Sequence, residues 1–437
     1  MKVVAGAAVV AALSLLLPQA LAFDPWAWLV WGRDAGRLAL DTTTGPSWKP
    51  LPVLFTTLFA PFGGAAPELW AFVARLGGVF GLIGAYVLGE RLAGRWAGAA
   101  AACAMALSPW WLYNTALGNT EGLLAAAVLW AVIAHLDGHS RAALACATAA
   151  ALMRPEAWPF LLIYGAWLWR SDRRAVLVAG ALVPLLWFGP DVIGVGGALG
   201  ASHTARGVPS PGSAKLADVP PLAVLGDTAT ILTLPALAFG VLAAVLMGGL
   251  ARRIALGAFA WVAIVAAMTA AGYAGNPRYL VAAAALGAVL AGAGAVRAAT
   301  AIAVRLAPGA RFAAPLGAAA LVALMLAVSG GKLGDQLAEL SHRADADAAF
   351  AGVIARAGGR DALVDCAKVR TSVRARSLVA WRLDLPLRDL DQRPEPPALV
   401  IRAKWFYGQG LEPGHEPGYR TLARSAYWAV DADCDVS

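Results

Sequence analysis

The sequence predicts an all-α protein with many membrane-spanning helices, followed by a small soluble α/β domain. Of the 437 residues, 59% are hydrophobic and only 14% are charged, whereas soluble domains carry about 25% charged residues. Long apolar runs follow one another through the first three quarters of the chain, and the last quarter has an ordinary mixed composition. We therefore divide the chain into a transmembrane domain, 1–331, and a soluble domain, 332–437.

The first apolar run, 3–22, has the length of a membrane span. A helix of about 20 residues crosses a hydrocarbon core roughly 30 Å thick. A second interpretation is a cleaved signal peptide, because Lys2 precedes the run and Ala20-Leu21-Ala22 resembles an A-x-A cleavage site. Under both interpretations the chain after Ala22 lies outside the membrane.

The segment that follows opens an outer loop, 23–68. Asp24 before Pro25 is typical of a helix start, with Asp24 as the N-cap residue. Three tryptophans at 26, 28 and 31 prefer a membrane–water boundary. The pattern thus predicts a helix along the outer surface with a carboxylate at its head. That carboxylate is either a helix cap or a functional group, and the local pattern leaves both open.

About eleven apolar runs are long enough to count as spans. Two of them, 142–153 and 157–169, are short for a full crossing and are expected to be tilted or partly re-entrant. The eleven runs are 3–22, 69–89, 96–113, 121–136, 142–153, 157–169, 174–190, 221–250, 254–272, 279–296 and 312–330.

The distribution of Lys and Arg predicts the orientation. With the N-terminus in the cytoplasm, the inner loops hold more basic residues than the outer loops, although the outer loops are longer. Eleven spans then place the soluble domain outside the cytoplasm. The net charge of +8 is accordingly interpreted as a topology signal. No nucleic-acid partner is predicted, because no basic stretch is interleaved with aromatic residues.

The soluble domain is predicted to be a mixed α/β fold outside the cytoplasm. A helix is expected at 345–357, and strands are expected at 362–366 and 398–404. Cys366 and Cys434 lie in this domain, where an oxidising compartment favours a disulfide between them. Cys103 and Cys146 lie in apolar runs and are expected to be buried thiols.

Four groups of polar residues lie at the outer ends of predicted spans. Polar groups near lipid are costly and need a reason. Each group alone is typical of a cap or an anchor at the membrane surface, but four on one side favour a shared site. A long outer loop, 191–220, rich in Gly, Ser and Pro, is predicted to cover it. The groups are Asp24, Arg33, Asp34, Arg37, Asp41 and Lys49; Tyr113, Asn114, Asn119, Thr120 and Glu121; Arg154 and Glu156; and Asn276, Arg278 and Tyr279.

These features resemble the C-type (GT-C) membrane glycosyltransferases. The shared features are an acid at the start of the first outer loop, a second outer acid after the third span, and Arg-Tyr at the head of a late span. More narrowly, 1–330 is similar to the protein O-mannosyltransferase and lipid A aminoarabinose transferase group. It is most similar to actinobacterial members that contain the run Gly45-Pro46-Ser47-Trp48-Lys49-Pro50-Leu51-Pro52.

The resemblance implies a sugar donor attached to polyprenyl phosphate. It assigns Asp24 as the base or the acceptor-positioning acid, Glu121 as the second acid, and Arg278 to the lipid phosphate. The chain departs from the mannosyltransferase pattern in one respect. Those enzymes have Asp-Glu where this chain has Asp24-Pro25, so the role of the second carboxylate is lost or passes to Asp34 or Asp41.

The chemistry of such a transfer points to the same residues. A carboxylate must lie within about 3 Å of the acceptor hydroxyl to take its proton, and cations must stabilise the departing phosphate. We predict Asp24 as the base and Lys49 with Arg278 as the phosphate-binding cations. No metal or other cofactor is predicted, because Asp and Glu are not clustered in the sequence. The further site candidates are Asp34, Asp41, Trp48, Asn119, Arg154, Glu156 and Tyr279.

Two other functions remain open at this point. A transporter or flippase of lipid-linked sugars would also need outer charges, but the sequence has no internal repeat, and most charges lie at span ends. A non-catalytic scaffold would use the soluble domain to bind partners. For a glycosyltransferase the expected partners are the lipid bilayer of the inner or plasma membrane, the polyprenyl-phosphate sugar, and a glycan, lipid or protein acceptor.

Overall fold

The computed structural model describes 2–195, 197–207, 212–306, 311–366, 368–391, 397–406 and 408–434, without the side chains of 195, 201, 306, 366 and 391. The described part is mostly helical. Its α-helices are α1 (Lys2–Ser14), α2 (Phe23–Gly36), α3 (Pro50–Phe59), α4 (Ala66–Ala93), α5 (Arg95–Ala106), α6 (Pro109–Ala116), α7 (Glu121–Leu136), α8 (Ser140–Ala151), α9 (Trp158–Leu168), α10 (Arg173–Val195), α11 (Gly200–Arg206), α12 (Pro220–Leu232), α13 (Leu234–Met247), α14 (Gly249–Ala270), α15 (Val281–Leu306), α16 (Ala313–Arg356), α17 (Arg360–Cys366) and α18 (Arg376–Arg382). Five short 3₁₀ helices are also described, at Ala60–Ala65, Pro155–Ala157, Ala214–Leu216, Pro277–Leu280 and Leu387–Asp389.

Several of these helices are long and apolar enough to cross a membrane. Within the described residues five helical segments meet this criterion, and two sharply bent helix pairs would raise the number to seven. The five segments are Pro50–Ala93, Arg173–Gly194, Gly249–Ala270, Pro277–Arg305 and Ala313–Arg356. The predicted helical membrane architecture is confirmed, whereas the count of eleven spans is not.

Two predicted spans differ from the helices that form. The first was expected over 3–22, but α1 ends at Ser14. Its 13 residues extend only about 20 Å, which is less than a hydrocarbon core roughly 30 Å thick. The run predicted as one span at 221–250 is broken at Thr233, where φ is 65°, and α12 and α13 meet at 97°. Apolar composition alone does not report such backbone breaks.

Helix α15 lies in the centre of the membrane part and carries the Arg278 turn at its start. Its buried residues are mainly Ala and Gly. A Cβ on Gly294 would lie 1.9 Å from the carbonyl oxygen of Phe239 in α13, and one on Gly292 would lie 2.4 Å from that of Ala97 in α5. Small residues let helix backbones approach closely, which is a common basis of packing in membranes. The middle of α15 is thereby packed closely against α13 and α5.

The soluble domain is joined to the membrane part by one continuous helix. Helix α16 has 44 residues, about 66 Å, and the division proposed at 331/332 lies inside it. It packs on a five-stranded sheet of order β2-β1-β3-β5-β4, in which β1 is parallel to β2 and β3, and β5 is antiparallel to β3 and β4. The strands are β1 (Lys368–Thr371), β2 (Leu390–Asp391), β3 (Ala398–Ala403), β4 (Arg420–Arg424) and β5 (Trp428–Ala432). The small α/β domain is thus confirmed.

One predicted strand is wrong, and for the predicted disulfide the side chain of only one of the two cysteines is described. The segment 362–366 belongs to α17 rather than to a strand, because a short apolar run fits a buried helix as well as a strand. Cys434 is disulfide-bonded. Cys103 and Cys146 are free, but Cys103 is exposed on α5 and Cys146 is half-buried, so their predicted burial is wrong; an apolar run does not report which face of its helix packs inward. The side chain of Cys366 lies outside the described residues, so its pairing with Cys434 stays a prediction.

Candidate active site

A cavity of about 1050 Å³ lies between the membrane helices and the soluble domain. Its wall contains residues from three of the four predicted outer groups, together with residues of the soluble domain. From the outer groups these are Asp24, Lys49, Arg154, Glu156, Asn276, Arg278 and Tyr279. From α16 and the soluble domain they are Arg343, Val373, Arg374, Arg376, Trp405 and Phe406. The cavity is therefore the place where groups distant in sequence converge.

Asp24 is the centre of the polar part of the wall. Its Oδ2 accepts a hydrogen bond from Nη2 of Arg278 at 2.7 Å and another from Nζ of Lys49 at 3.3 Å. Helix α2 begins at Phe23 after an N-cap residue, Ala22, and no side-chain capping bond is made. The interpretation of Asp24 as the N-cap residue is therefore wrong. Its carboxylate instead joins the first outer loop to the start of α15.

The two cations determine the charge of the Asp24 carboxylate. Burial alone would raise the pKa of Asp24, but Arg278 and Lys49 outweigh it and hold that pKa well below its usual range. Burial and the nearby charge of Arg154 lower the pKa of Lys49 to about 8, against the opposing charge of Asp24. Asp24 is consequently ionised at neutral pH, while Lys49 titrates just above it.

Arg278 is held in place from the other side by an asparagine pair. Its Nη1 lies 3.4 Å from Oδ1 of Asn119, and the amide of Asn119 donates to Oδ1 of Asn114 at 2.9 Å. Asn119 lies where α6 and α7 meet at a bend of 116°. Gly118 has φ 72° at this bend, a conformation that glycine adopts without steric cost. The bend thus turns Asn119 toward the guanidinium.

Glu121 and Arg154 form a second ion pair behind the cavity wall. Nη2 of Arg154 donates to Oε1 of Glu121 at 2.7 Å, and the Glu121 side chain is fully buried. The guanidinium of Arg154 lies 4.2 Å from the ring centroid of Tyr279. Arg154 and Tyr279 line the cavity, whereas Glu121 is not part of its lining. Glu121 therefore holds Arg154 in place from behind the cavity wall. Its predicted catalytic role stays a prediction.

Trp48 and Trp28 position Lys49. The indole of Trp48 donates to the carbonyl oxygen of Leu186 at 3.0 Å, and its ring packs on Trp31 with centroids 5.5 Å apart. Lys49 follows Trp48 in the chain, and its Nζ lies 5.0 Å from the Trp28 ring. The Lys49 side chain is therefore fixed by its neighbours rather than free at the surface.

Asp34 and Asp41 lie away from the cavity. Asp34 pairs with Arg33 at 2.8 Å, and Arg33 also reaches Asp384 of the soluble domain at 2.9 Å. Asp41 accepts a hydrogen bond from Arg388 of the soluble domain at 2.8 Å. Asp41 thus docks the first outer loop onto the soluble domain directly, whereas Asp34 holds Arg33, which makes the contact. This placement does not support a transfer of the second carboxylate's role to either of them.

Sequence reasoning missed part of the wall. Arg343 of α16 stacks its guanidinium on Phe406 and Trp405 at 4.8 and 5.6 Å. In the predicted covering loop, the hydroxyl of Ser202 lies 3.0 Å from that of Tyr273, and both residues line the cavity. These contacts join segments more than 60 residues apart, and no local motif marks them.

The similarity of this chain to known proteins lies in its fold and not in its sequence. No protein-family model and no curated protein sequence matches this chain. The fold is similar to that of ArnT from Cupriavidus metallidurans bound to undecaprenyl phosphate, with a TM-score of 0.62, 16% identity, and coverage of 99% of this chain and 97% of that chain. Apo ArnT gives a TM-score of 0.59 at 15% identity, with 98% and 97% covered.

A third structure, the archaeal oligosaccharyltransferase AglB from Archaeoglobus fulgidus in complex with an inhibitory peptide and a dolichol phosphate, is also similar. It has 14% identity and covers 78% of this chain and 55% of that chain, but its TM-score of 0.46 is too low to support an argument. The ArnT match spans nearly the whole of both chains, so it includes the soluble domain as well as the membrane part. The chain therefore has the fold of ArnT, a C-type (GT-C) membrane glycosyltransferase, as the sequence resemblance predicted.

Proposed function

We propose that this integral membrane protein is a glycosyltransferase that moves a sugar from a polyprenyl-phosphate donor to an acceptor outside the cytoplasm. The observation that carries the proposal is the Asp24 carboxylate, held between Lys49 and Arg278 on the wall of a large cavity. One carboxylate between two cations is the set of groups that such a transfer requires. The match to ArnT bound to undecaprenyl phosphate supports this class of donor.

Lys49 and Arg278 bind the phosphate of the donor in this proposal. Both are buried or half-buried cations beside apolar helices, and Arg can hold a phosphate with two parallel hydrogen bonds. Without a ligand, their charge is balanced only in part by Asp24, because two cations face one carboxylate. A phosphate supplies the missing negative charge.

Asp24 acts as the base in the transfer step. The acceptor hydroxyl gives its proton to Asp24, and the acceptor oxygen forms a bond to the anomeric carbon of the sugar. The bond between that carbon and the phosphate oxygen breaks, and polyprenyl phosphate leaves with the electron pair. Lys49 and Arg278 stabilise the charge on the departing phosphate, as preorganised cations do in such sites.

The ion pairs also suggest an order of binding. While both cations hold Asp24, its pKa lies well below the usual range, so it is a weak base. A bound phosphate takes up part of the charge of Lys49 and Arg278, and the basicity of Asp24 rises. Donor binding thus activates the base before the acceptor is deprotonated.

We place the cavity and the soluble domain on the outer side of the inner or plasma membrane, with the N-terminus in the cytoplasm. The acceptor, a glycan, a lipid or a protein, then approaches between the membrane helices and the wall formed by Arg374, Trp405 and Phe406. No metal or other cofactor is part of the proposal.

The variant Asp24→Asn tests the role of the base. An amide has nearly the same shape but cannot take the proton, and the loss of a general base typically lowers the rate 10²- to 10⁴-fold. The assay is sugar transfer from a polyprenyl-phosphate sugar by the purified protein. Asp41→Asn is the matched control, because it removes an ion pair of the same loop outside the cavity.

Binding of undecaprenyl phosphate separates loss of chemistry from loss of structure. Asp24→Asn frees both cations, so it should bind the phosphate at least as tightly as the wild type while transferring no sugar. Formate added to Asp24→Gly should restore part of the rate, because a small carboxylate then replaces the missing base. An Asp24→Asn protein that transfers sugar within a few-fold of the wild-type rate contradicts the proposal.

A further inference from the structure

Glu156 has a buried carboxylate without a partner. The residue lines the cavity and is only 2% exposed. Among the described residues no hydrogen bond or ion pair reaches it, and its Oε2 is buried and unbonded. Oε2 of Glu121 is also buried and unbonded, but Glu121 and Asp24 each have an ion-pair partner, and Asp191 accepts a hydrogen bond from Thr42.

Such a group is unfavourable in either protonation state. A buried carboxylate oxygen such as Oε2 of Glu156 has lost its hydration without gaining a hydrogen bond in return. A protonated carboxyl group still carries a donor and acceptors that need partners when buried. The short helix Pro155–Ala157 does not need the side chain, because Glu156 caps nothing and bonds nothing in it. Its position on the cavity wall favours a ligand that donates hydrogen bonds.

The position of Glu156 indicates which ligand this is. Arg154 lies two residues earlier, a separation that the chain spans in at most about 7 Å. Arg154 stacks on Tyr279, the neighbour of Arg278, and its charge lowers the pKa of Lys49. Glu156 acts electrostatically on Tyr273, and both line the same cavity as the cations assigned to the donor phosphate. The sugar is attached directly to that phosphate and must lie beside it.

We propose that Glu156 forms a sugar-binding subsite and accepts hydrogen bonds from the sugar of the donor. The inference rests on the proposed function, and it names the part of the donor that Glu156 recognises. The shared chemistry is an O–H or N–H donor on the sugar ring. A neutral sugar supplies it through hydroxyl groups, and an amino sugar supplies it through an ammonium group.

The test compares binding of the donor with and without its sugar. The probes are undecaprenyl phosphate, undecaprenyl-phosphate mannose and undecaprenyl phosphate carrying glucosamine, measured on the purified full chain. Glu156→Ala should bind undecaprenyl phosphate within about twofold of the wild type. It should bind the glycosylated probe that the wild type prefers at least about tenfold more weakly, a change that corresponds to one lost contact of about 1.4 kcal/mol.

Glu156→Gln distinguishes the two sources of the hydrogen bond. An amide oxygen still accepts from a hydroxyl group, so binding of the mannose probe should stay within a few-fold of the wild type. An amide oxygen can still accept a hydrogen bond from an ammonium group, but it lacks the negative charge that strengthens this bond, so binding of the glucosamine probe should weaken more than binding of the mannose probe. Glu90→Ala is the control, because Glu90 is an exposed glutamate at the end of α4 and outside the cavity lining.

Two results overturn the inference. One is equal affinity of the wild type and Glu156→Ala for both glycosylated probes. The other is a lower melting temperature of Glu156→Ala, since removal of an unpaired buried charge should leave stability unchanged or raised. Failure of the wild type to bind even undecaprenyl phosphate is a different result, and it rejects the proposed function itself.

Discussion

The lowered pKa of Lys49 predicts that donor affinity falls as the pH rises above 8. Burial brings this pKa from 10.5 to about 8, so Lys49 loses its positive charge at a moderately alkaline pH. Asp24 stays ionised throughout, because its pKa is held far below this range. The undecaprenyl phosphate probe is a phosphate monoester with its second pKa near 6, so it is almost fully charged above pH 7; the phosphodiester of the sugar donor has no second ionisation. Of Asp24, Lys49 and the phosphate, Lys49 is thus the group that titrates between pH 7 and pH 9.5.

The size of the effect follows from the titration. One pH unit above the pKa, about one tenth of the Lys49 side chains still carry the charge, and each further unit lowers that fraction another tenfold. If only the charged form binds the phosphate, the Kd rises about fivefold between pH 8 and pH 9, because half of the Lys49 side chains are still charged at pH 8. Lys49→Arg should abolish this rise, because the guanidinium stays protonated throughout the range.

The assay is the Kd of undecaprenyl phosphate between pH 7 and pH 9.5, measured for the wild type and for Lys49→Arg. Lys332→Arg is the control, since Lys332 is exposed on α16 and does not line the cavity. A flat profile for the wild type refutes the assignment of Lys49 to the phosphate. A slope that is unchanged in Lys49→Arg refutes it equally.

Two further predictions concern the scaffold of the site. Arg154→Met leaves Glu121 buried without its cation, which should lower the free energy of unfolding by about 3–5 kcal/mol. The double variant with Glu121→Gln should regain most of this stability. An unchanged melting temperature in Arg154→Met would show that the pair is not formed. Gly294→Ala places a Cβ 1.9 Å from the carbonyl oxygen of Phe239 and should cost at least about 1–3 kcal/mol through overpacking. Gly257→Ala meets no atom within 4 Å and should be neutral or stabilise by up to about 1 kcal/mol, so equal melting temperatures for the two glycine variants would contradict the close approach of α13 and α15.

The sequence by itself determined the class of the protein and the candidate residues of its site. Composition is enough for the class, because a chain with 14% charged residues and repeated apolar runs buries most of its surface in lipid. Asp24, Lys49 and Arg278 could be proposed for a similar reason. One charge at the end of a membrane span is typical of a cap or an anchor, but several polar groups near lipid on the same side are costly and favour a shared site.

Only the tertiary structure decided which of these charges meet. Asp24 and Arg278 are 254 positions apart, and their contact depends on α2 and the start of α15 reaching one point. The sequence also offers Asp34 as a candidate for the role of the second carboxylate, yet Asp34 pairs with Arg33, which contacts the soluble domain.

The physical reason is that hydropathy and charge are local properties, whereas the meeting of distant groups depends on the directions that helices take. Those directions depend on a few backbone breaks, such as the bend of 116° that turns Asn119 toward Arg278. They depend also on glycine contacts such as that of Gly294 with α13. Neither the backbone breaks nor the glycine contacts can be recognised from the apolar pattern of the sequence.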